Sequence, residues 1–364
     1  MISKESFSIE HINSVKATYP TLDRQLIERT VFALGLLESL VKVKMPFIFK
    51  GGTALMLLLD KPFRLSTDID IIVDPSCDIE DYLKEAASIY PFLHVDEHVR
   101  IGKNGMMKKH YKYYYKSPTS QTEIPILLDI LFEDSGYENI MTKEIQNDFL
   151  LTSGENHRVR LPSIESILGD KLTAFAPHTT GIEFEYVNSK GKKVEKTLEV
   201  IKQFLDVSQL IKEVNNPESV RKTYDQIVTQ EIKYRGIDVT PEDCLIDTYE
   251  ATLSILSRGS LYPGDYPYSI KGIRKIQNHI FGFDINGEVA YQFAAPVLLF
   301  VAKMVNQTCD VQINEQPLFT EREYRAINQI RKLDRVAFDV IATAIRMVLV
   351  FRTNKYHVEG KIPL

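Results

Sequence analysis

Two short stretches decide the fold of this chain: Phe49-Lys50-Gly51-Gly52-Thr53-Ala54-Leu55 and, after a short apolar helix, Arg64-Leu65-Ser66-Thr67-Asp68-Ile69-Asp70-Ile71-Ile72-Val73. Two glycines at the end of a strand allow the backbone to come close to a ligand. Side chains alternate along a strand, so Asp68 and Asp70 project from one face of the next. Adjacent carboxylates repel unless a cation lies between them, and Mg²⁺ takes such oxygen ligands together with substrate phosphates. The pattern therefore predicts phosphoryl or nucleotidyl transfer.

Each half of this pattern has an ordinary explanation on its own. A Gly-Gly pair is typical of turns, and a lone Asp-x-Asp is typical of a solvated strand end. Their strand, turn, helix, strand order, with Arg64 and Ser66 directly upstream of the acidic strand, favours function over chance. We therefore interpret Gly51, Gly52 and Thr53 as a phosphate cradle at the start of a helix.

A third carboxylate interrupts the apolar run of residues 124–132, at Asp129. Such a run is typical of a strand buried on both faces. A buried charge is costly unless it is paired or bound to a metal ion. Asp129 is therefore either satisfied by the backbone or an arginine, or it is a metal ligand.

The residues quoted above resemble the nucleotidyltransferase superfamily of the DNA polymerase β type. More closely, the block Lys-Gly-Gly-Thr-Ala-Leu…Arg-x-Ser-x-Asp-Ile-Asp is similar to the AbiEii/AbiGii family, which comprises toxins of type IV toxin–antitoxin and phage abortive-infection systems. The superfamily carries its third catalytic carboxylate on a neighbouring strand, so Asp68, Asp70 and Asp129 would hold two Mg²⁺ ions, with an NTP as substrate. The resemblance also implies an RNA acceptor, with the 3′ end of tRNA as the first candidate, and a cognate antitoxin encoded nearby.

The pattern becomes helical after residue 162, and the last helix is expected at residues 320–351. Lys171 falls on the apolar stripe of the helix predicted from residue 164, where a lysine either extends along its stem to the surface or reaches the triphosphate. Gly169 to Ala174 looks like the third motif of the family. Asp206 looks like part of the fourth, although a surface ion pair with Lys202 would also explain it. An insertion, Gly181 to Thr197, departs from the usual family spacing, and residues 188–193 are expected to form the tip of a hairpin within it.

Length and composition suit two domains. We expect an α/β nucleotidyltransferase domain with a small mixed sheet at residues 1–160, and a mainly α-helical domain at residues 161–364 that closes the cleft and selects the acceptor. The sequence has no run of 18 apolar residues, and the first five residues lack the apolar core of a signal peptide, so we expect no membrane span and a cytoplasmic location. The formal net charge of −5 argues against a general nucleic-acid coat and allows a local basic face.

A predicted hairpin offers such a basic face. Residues 93–101 and 106–116 are its expected strands, joined by a turn at residues 102–105. One face of the second strand carries three tyrosines that either lie in the core or stack on bases, and His110 lies on the opposite face. The five lysines of the hairpin would meet phosphates. The lysines are Lys103, Lys108, Lys109, Lys112 and Lys116. Lysines that protect an exposed sheet edge are the alternative. A second candidate contact for phosphates is the basic segment at residues 190–196.

The sequence thus predicts a metal-dependent enzyme that moves a nucleoside monophosphate from an NTP to an acceptor hydroxyl. Asp68 and Asp70 would hold both metal ions, and Asp129 the ion that faces the acceptor. Lys171 would neutralise triphosphate charge, and Asp206 would steer the base, the acceptor or Lys171. Arg64 and Ser66 would position phosphates or the acidic strand. The alternatives are a small-molecule nucleotidyltransferase that modifies an antibiotic, and a non-catalytic nucleic-acid or partner-binding module of the same fold.

Overall fold

The structure is a computed structural model that describes residues 1–97, 107–188, 190–308 and 310–358. The strands are β1 (Ile48–Lys50), β2 (Ile69–Val73), β3 (Phe92–Glu97), β4 (Lys108–Lys116), β5 (Glu123–Phe132), β6 (Ile140–Glu144), β7 (Arg158–Pro162), β8 (Glu185–Val187) and β9 (Lys193–Glu195). The α-helices are α1 (Ile9–Thr18), α2 (Arg24–Lys42), α3 (Gly51–Leu58), α4 (Glu80–Ala87), α5 (Ile164–Ala174), α6 (Thr197–Leu210), α7 (Pro217–Arg235), α8 (Pro241–Leu256), α9 (Tyr266–Ile276), α10 (Ala290–Val305), α11 (Ile330–Leu333) and α12 (Arg335–Val358). The predicted turn at residues 102–105 and Lys103 lie outside the described residues. Within those ranges, no helix is both long enough and apolar enough to cross a membrane.

The chain divides into two compact units. The first comprises Met1–Ile167 and Asn278–Asp284, and the second comprises Leu168–Gln277 and Ile285–Leu364. The division falls inside α5. A short later segment, residues 278–284, therefore belongs to the first unit although the chain on either side of it belongs to the second.

A mixed sheet forms the centre of the first unit. Five strands of the described chain pair in the order β1-β2-β5-β4-β3. β2 and β5 run parallel, whereas the other neighbouring pairs are antiparallel. A small mixed sheet in one unit and a mainly helical second unit confirm the predicted fold class.

One face of this sheet is the core of the first unit. The tyrosines at alternate positions of β4 (Tyr111, Tyr113 and Tyr115) are buried there. The ring of Tyr115 stacks on Phe32 of α2, with ring centroids 3.7 Å apart. Helix α2 begins directly after Asp23, whose side chain accepts hydrogen bonds from the first-turn N–H groups of Gln25 and Leu26. The tyrosines therefore lie in the core and do not form a stacking surface for bases.

The prediction that β5 is buried on both faces is wrong. Ile126, Leu128 and Ile130 are buried against the core, whereas Leu127 and Asp129, which point the other way, are only partly buried. The carboxylate of Asp129 keeps 36% of its side-chain surface exposed. The cost of full burial therefore does not by itself require a cation at Asp129, and its role has to be argued from its neighbours.

The second unit contains helices α6 to α12, which run between residues 197 and 358, and the hairpin of β8 and β9. This hairpin was predicted within the insertion at residues 181–197, and its strands pair from Glu185 opposite Glu195 to Val187 opposite Lys193. The single helix predicted over residues 320–351 is wrong. The chain forms a 3₁₀ segment at Arg322–Gln329, then α11, and then α12 after Asp334, whose extended backbone ends α11.

Two tyrosines on β4 provide a matched test of how the core is held together. Tyr115 donates to the buried carboxylate of Glu28 at 3.0 Å, whereas Tyr113 donates to the neutral carbonyl of Leu83 at 3.0 Å. Burial raises the pKa of both hydroxyls, so both donate as neutral phenols. We expect Tyr115→Phe to lower the free energy of unfolding by about 1.5–3 kcal/mol, because a charged acceptor loses a donor, and Tyr113→Phe by about 0.5–1.5 kcal/mol. Urea unfolding measures both, and equal losses would contradict the charge argument.

Candidate active site

A row of polar side chains crosses the sheet on the face opposite the core. Lys50 of β1 lies opposite Asp70 of β2, Asp70 lies opposite Asp129 of β5, and Asp129 lies opposite His110 of β4. Residues directly opposite one another on neighbouring strands project from the same face, and the strands are about 4.8 Å apart. The register of β1, β2, β5 and β4 therefore brings two of the predicted carboxylates side by side.

The turn between β1 and α3 closes tightly around Asp70. Gly51 has a positive φ of 80°, which other residues adopt only with strain. A Cβ atom at Gly51 would overlap the carboxylate of Asp70, with the Asp70 Cγ only 2.8 Å away. Lys50 precedes α3 and gives it no side-chain cap. The first N–H groups of α3 therefore lie beside a carboxylate, in the position where helices bind anions.

The second glycine makes room for the loop that enters β2. A Cβ atom at Gly52 would lie 2.6 Å from Arg64 Nη2 and 3.0 Å from Ser66 Oγ. The hydroxyl of Thr53 is buried and lies 2.5 Å from the carbonyl oxygen of Asp68 and 2.9 Å from Ser66 Oγ. Arg64 and Ser66 thus pack against the turn at Gly52. The Thr53 hydroxyl connects this turn to the residue just before β2 through its hydrogen bond to Asp68.

Residues 278–284 hold the same loop from its other side. Leu65 N–H donates to the carbonyl oxygen of His279 at 2.8 Å, and Phe281 N–H donates to that of Phe63 at 3.0 Å. Arg64 and Ile280 form the antiparallel bridge between them. This pairing fixes the backbone just before Asp68, and it joins residues that are more than two hundred positions apart in the sequence.

The donor chemistry of this face suits Mg²⁺. The carboxylates of Asp68, Asp70 and Asp129 are hard oxygen ligands. Because Gly51 has no Cβ atom, the Asp70 carboxylate can lie beside the start of α3. Asp68 precedes β2 directly and is exposed. Across the described ranges, no three His, Cys, Asp or Glu side chains already stand in a metal-binding arrangement.

Asp129 has a partner that the sequence did not assign. His110 Nδ1 lies 2.7 Å from Asp129 Oδ1. The sequence placed His110 on the correct face of β4, but the register that puts it opposite Asp129 joins two strands whose pairing was not predicted. The predicted place of His110 on the face of the strand opposite the tyrosines was the available signal.

In the second unit, Lys171 and Asp206 form a buried ion pair. Lys171 Nζ lies 2.9 Å from Asp206 Oδ2 and 3.0 Å from Gln203 Oε1. The side chains of Lys171 and Asp206 are 8% and 3% exposed. Lys171 therefore does not extend to the surface, and the Asp206 carboxylate is buried, not at the surface as a surface ion pair would require. Gln203 was missed, although it lies three residues before Asp206 and hence on the same helix face.

No curated protein sequence matches this chain at a significant level. Among solved structures, JHP933 from Helicobacter pylori is 17% identical with a TM-score of 0.44, and the match covers 79% of this chain and 96% of that chain. A second H. pylori structure, described as a "putative nucleotidyltransferase", is 16% identical with a TM-score of 0.43, and the match covers 78% of this chain and 99% of that chain. Likenesses this distant carry no argument about the site.

A family match carries the identification. The family described as "Nucleotidyl transferase AbiEii toxin, Type IV TA system" matches residues 35–271. This span contains the Gly51–Gly52 turn, the three carboxylates and both residues of the Lys171–Asp206 pair, and it confirms the resemblance seen in the sequence motifs. Because the match covers well over half of the sequence, the chain belongs to the AbiEii family of nucleotidyl transferase toxins of type IV toxin–antitoxin systems.

Proposed function

We propose that this protein transfers a nucleoside monophosphate from an NTP to a hydroxyl group of RNA, with the 3′ end of tRNA as the first candidate, and thereby blocks growth. The observation that carries this proposal is the pairing of Asp70 with Asp129 beside the Gly51 turn. Membership in a type IV toxin–antitoxin family implies a cognate antitoxin.

In the first unit, some residues bind the triphosphate and others assist the transfer of a proton. The N–H groups at the start of α3 bind the triphosphate, with Arg64 and Ser66 supporting the turn from below. The acceptor hydroxyl forms a new bond to the α-phosphorus as the bond to the leaving pyrophosphate breaks, and Asp129 assists the loss of the hydroxyl proton to solvent. Two Mg²⁺ ions, held by Asp68, Asp70 and Asp129, would stabilise the attacking and leaving oxygens. In the second unit, Lys171 would offset triphosphate charge, and Asp206 and Gln203 would hold its ammonium group.

The acceptor surface is proposed to run along β4. Lys108, Lys112 and Lys116 alternate with the buried tyrosines, so they share the face that carries Asp70 and Asp129. Lys109 lies on the other face, 2.9 Å from Glu80, and the hydrogen bond with Glu80 raises its pKa. Three lysines on the carboxylate face would therefore meet RNA phosphates, and Lys109 would not.

The central experiment supplies each α-³²P-labelled NTP with Mg²⁺ and either total tRNA or an aminoglycoside. We expect label to enter tRNA only, and EDTA to abolish transfer. Label in the aminoglycoside alone would support antibiotic modification and overturn the RNA proposal. Absence of label in both acceptors with all four NTPs would overturn the enzymatic assignment.

We predict that Asp70→Asn lowers transfer to less than about a tenth of the wild-type rate, and that it abolishes growth inhibition, because a lost metal ligand removes much of the transition-state stabilisation. Asp74→Asn is the matched control, since Asp74 is an exposed carboxylate just beyond the end of β2. Initial rates and circular dichroism separate activity from folding. Transfer by Asp70→Asn above a tenth of the wild-type rate would contradict the role of this carboxylate.

The Lys171–Asp206 pair requires a test that separates stability from function. Removing one partner of a buried ion pair costs about 3–5 kcal/mol, whereas replacing both partners with apolar residues is often neutral. We predict that Lys171→Met is strongly destabilised, and that Lys171→Met combined with Asp206→Leu regains the stability of the wild type. We also predict that the double variant still transfers nucleotide poorly, because the triphosphate has lost its cation. A stable double variant with wild-type KM for NTP would assign the pair a purely structural role.

Changing Lys108, Lys112 and Lys116 together to Gln tests the acceptor surface. Each lost phosphate contact reduces the slope of log K against log salt concentration by about 0.7–0.9, so we expect the slope for RNA to flatten by about 2–3. NTP affinity should change little. Lys109→Gln is the matched control on the opposite face of the same strand, and it should leave the slope unaltered. An unaltered slope in the triple variant would show that these lysines only protect the sheet surface.

A further inference from the structure

His110 and Asp129 form a paired unit on the carboxylate face of the sheet. The two residues are direct neighbours in the β4–β5 register, and His110 Nδ1 lies 2.7 Å from Asp129 Oδ1. An ionised carboxylate can only accept a hydrogen bond. The Nδ1 atom therefore carries the hydrogen, and His110 donates to Asp129.

The surroundings make this hydrogen bond an effective restraint. The side chain of His110 is 15% exposed and that of Asp129 is 36% exposed, so the pair is partly shielded from water. Hydrogen bonds to ionised groups are short and strong, and a lower local dielectric strengthens them. The backbone of Asp129 is held by β2 on one side and by β4 on the other. Rotation of its side chain is the freedom that remains, and His110 restricts it.

We propose that His110 is a positioning residue that fixes the carboxylate of Asp129 through Oδ1 and leaves Oδ2 for a metal ion. This inference rests on the proposed function, in which Asp129 is a metal ligand. Partners that hydrogen-bond to metal ligands orient them, and their loss typically reduces metal affinity or activity by about 10- to 100-fold. For Asp129, the β4–β5 register supplies such a histidine.

A second histidine–carboxylate pair on the same sheet provides the matched control. His94 Nε2 lies 3.2 Å from Glu123 Oε2, and their side chains are 45% and 57% exposed. His94 belongs to β3, and Glu123 lies at the start of β5, away from the row of Asp70 and Asp129. His94→Phe therefore removes a similar contact without touching a predicted metal ligand.

The experiment measures binding of Mn²⁺, by electron paramagnetic resonance, to the full chain in the presence of α,β-methylene analogues of the four NTPs. The variants are His110→Phe, His110→Asn, His110→Gln and Asp129→Asn. Asn places an amide donor where Nδ1 lies, whereas Gln places it nearer to Nε2. We expect His110→Phe and His110→Gln to weaken Mn²⁺ binding by about 10- to 100-fold. His110→Asn should recover most of the affinity, and His94→Phe should bind like the wild type.

A double variant tests whether His110 acts through Asp129. If it does, adding His110→Phe to Asp129→Asn should weaken Mn²⁺ binding no further than Asp129→Asn alone. Additive losses would overturn the inference. If His110→Phe does not fold, the Mn²⁺ affinities of His110→Asn and His110→Gln decide whether His110 positions Asp129, because the two amide side chains differ in where they place the hydrogen-bond donor.

The outcomes distinguish this inference from the proposed function. Equal Mn²⁺ affinity for the wild type, His110→Asn and His110→Gln, with binding lost in Asp70→Asn, would overturn the role of His110 and leave the proposed function intact. A wild-type protein that binds no Mn²⁺ with any of the analogues would overturn both.

Discussion

The contact between the Gly51 backbone and the Asp70 carboxylate is the constraint on which the candidate site depends. β1 pairs with β2 so that Lys50 lies opposite Asp70, and the next residue must turn into α3 within the space beside that carboxylate. A side chain at Gly51 would have to occupy the position of Asp70. The left-handed backbone at Gly51 is therefore what allows a helix start and an acidic strand to share one small volume, where phosphate and metal ions would meet.

The sequence predicted this local part well because its determinants lie close together in the chain. The glycines, Arg64, Ser66 and Asp68 fall within about twenty residues of one another. Alternation along a strand then places Asp68 and Asp70 on one side without any knowledge of the rest of the fold. The Lys171–Asp206 contact also agrees with the motifs, although the surface explanations considered for each residue are wrong.

The parts that escaped prediction are those set by long-range register. The position of His110 opposite Asp129 depends on how β4 pairs with β5, and alternation alone leaves that pairing open. The bridge between Arg64 and Ile280 joins two loops with no shared pattern in the sequence. Residues of β5 on the tyrosine face are buried and those on the carboxylate face are only partly buried, whereas the apolar composition of the strand suggested that both faces were covered. Composition indicates how apolar a strand is, and only the packing of its neighbours decides which face is exposed.

The charged pairs of the two units differ in how deeply they are buried, and this difference affects how growth assays should be interpreted. Lys171 and Asp206 form a buried ion pair, whereas Asp129 and His110 lie on a partly exposed sheet face. Breaking the interior pair leaves an uncompensated buried charge, and destabilisation of that size lowers the abundance of a protein in cells. A toxin variant at Lys171 can thus lose its effect because less folded protein is present. Loss of growth inhibition is informative at Asp70 or Asp129, where a carboxylate-to-amide change removes charge with little change in shape. At Lys171 it becomes informative only when both partners are replaced.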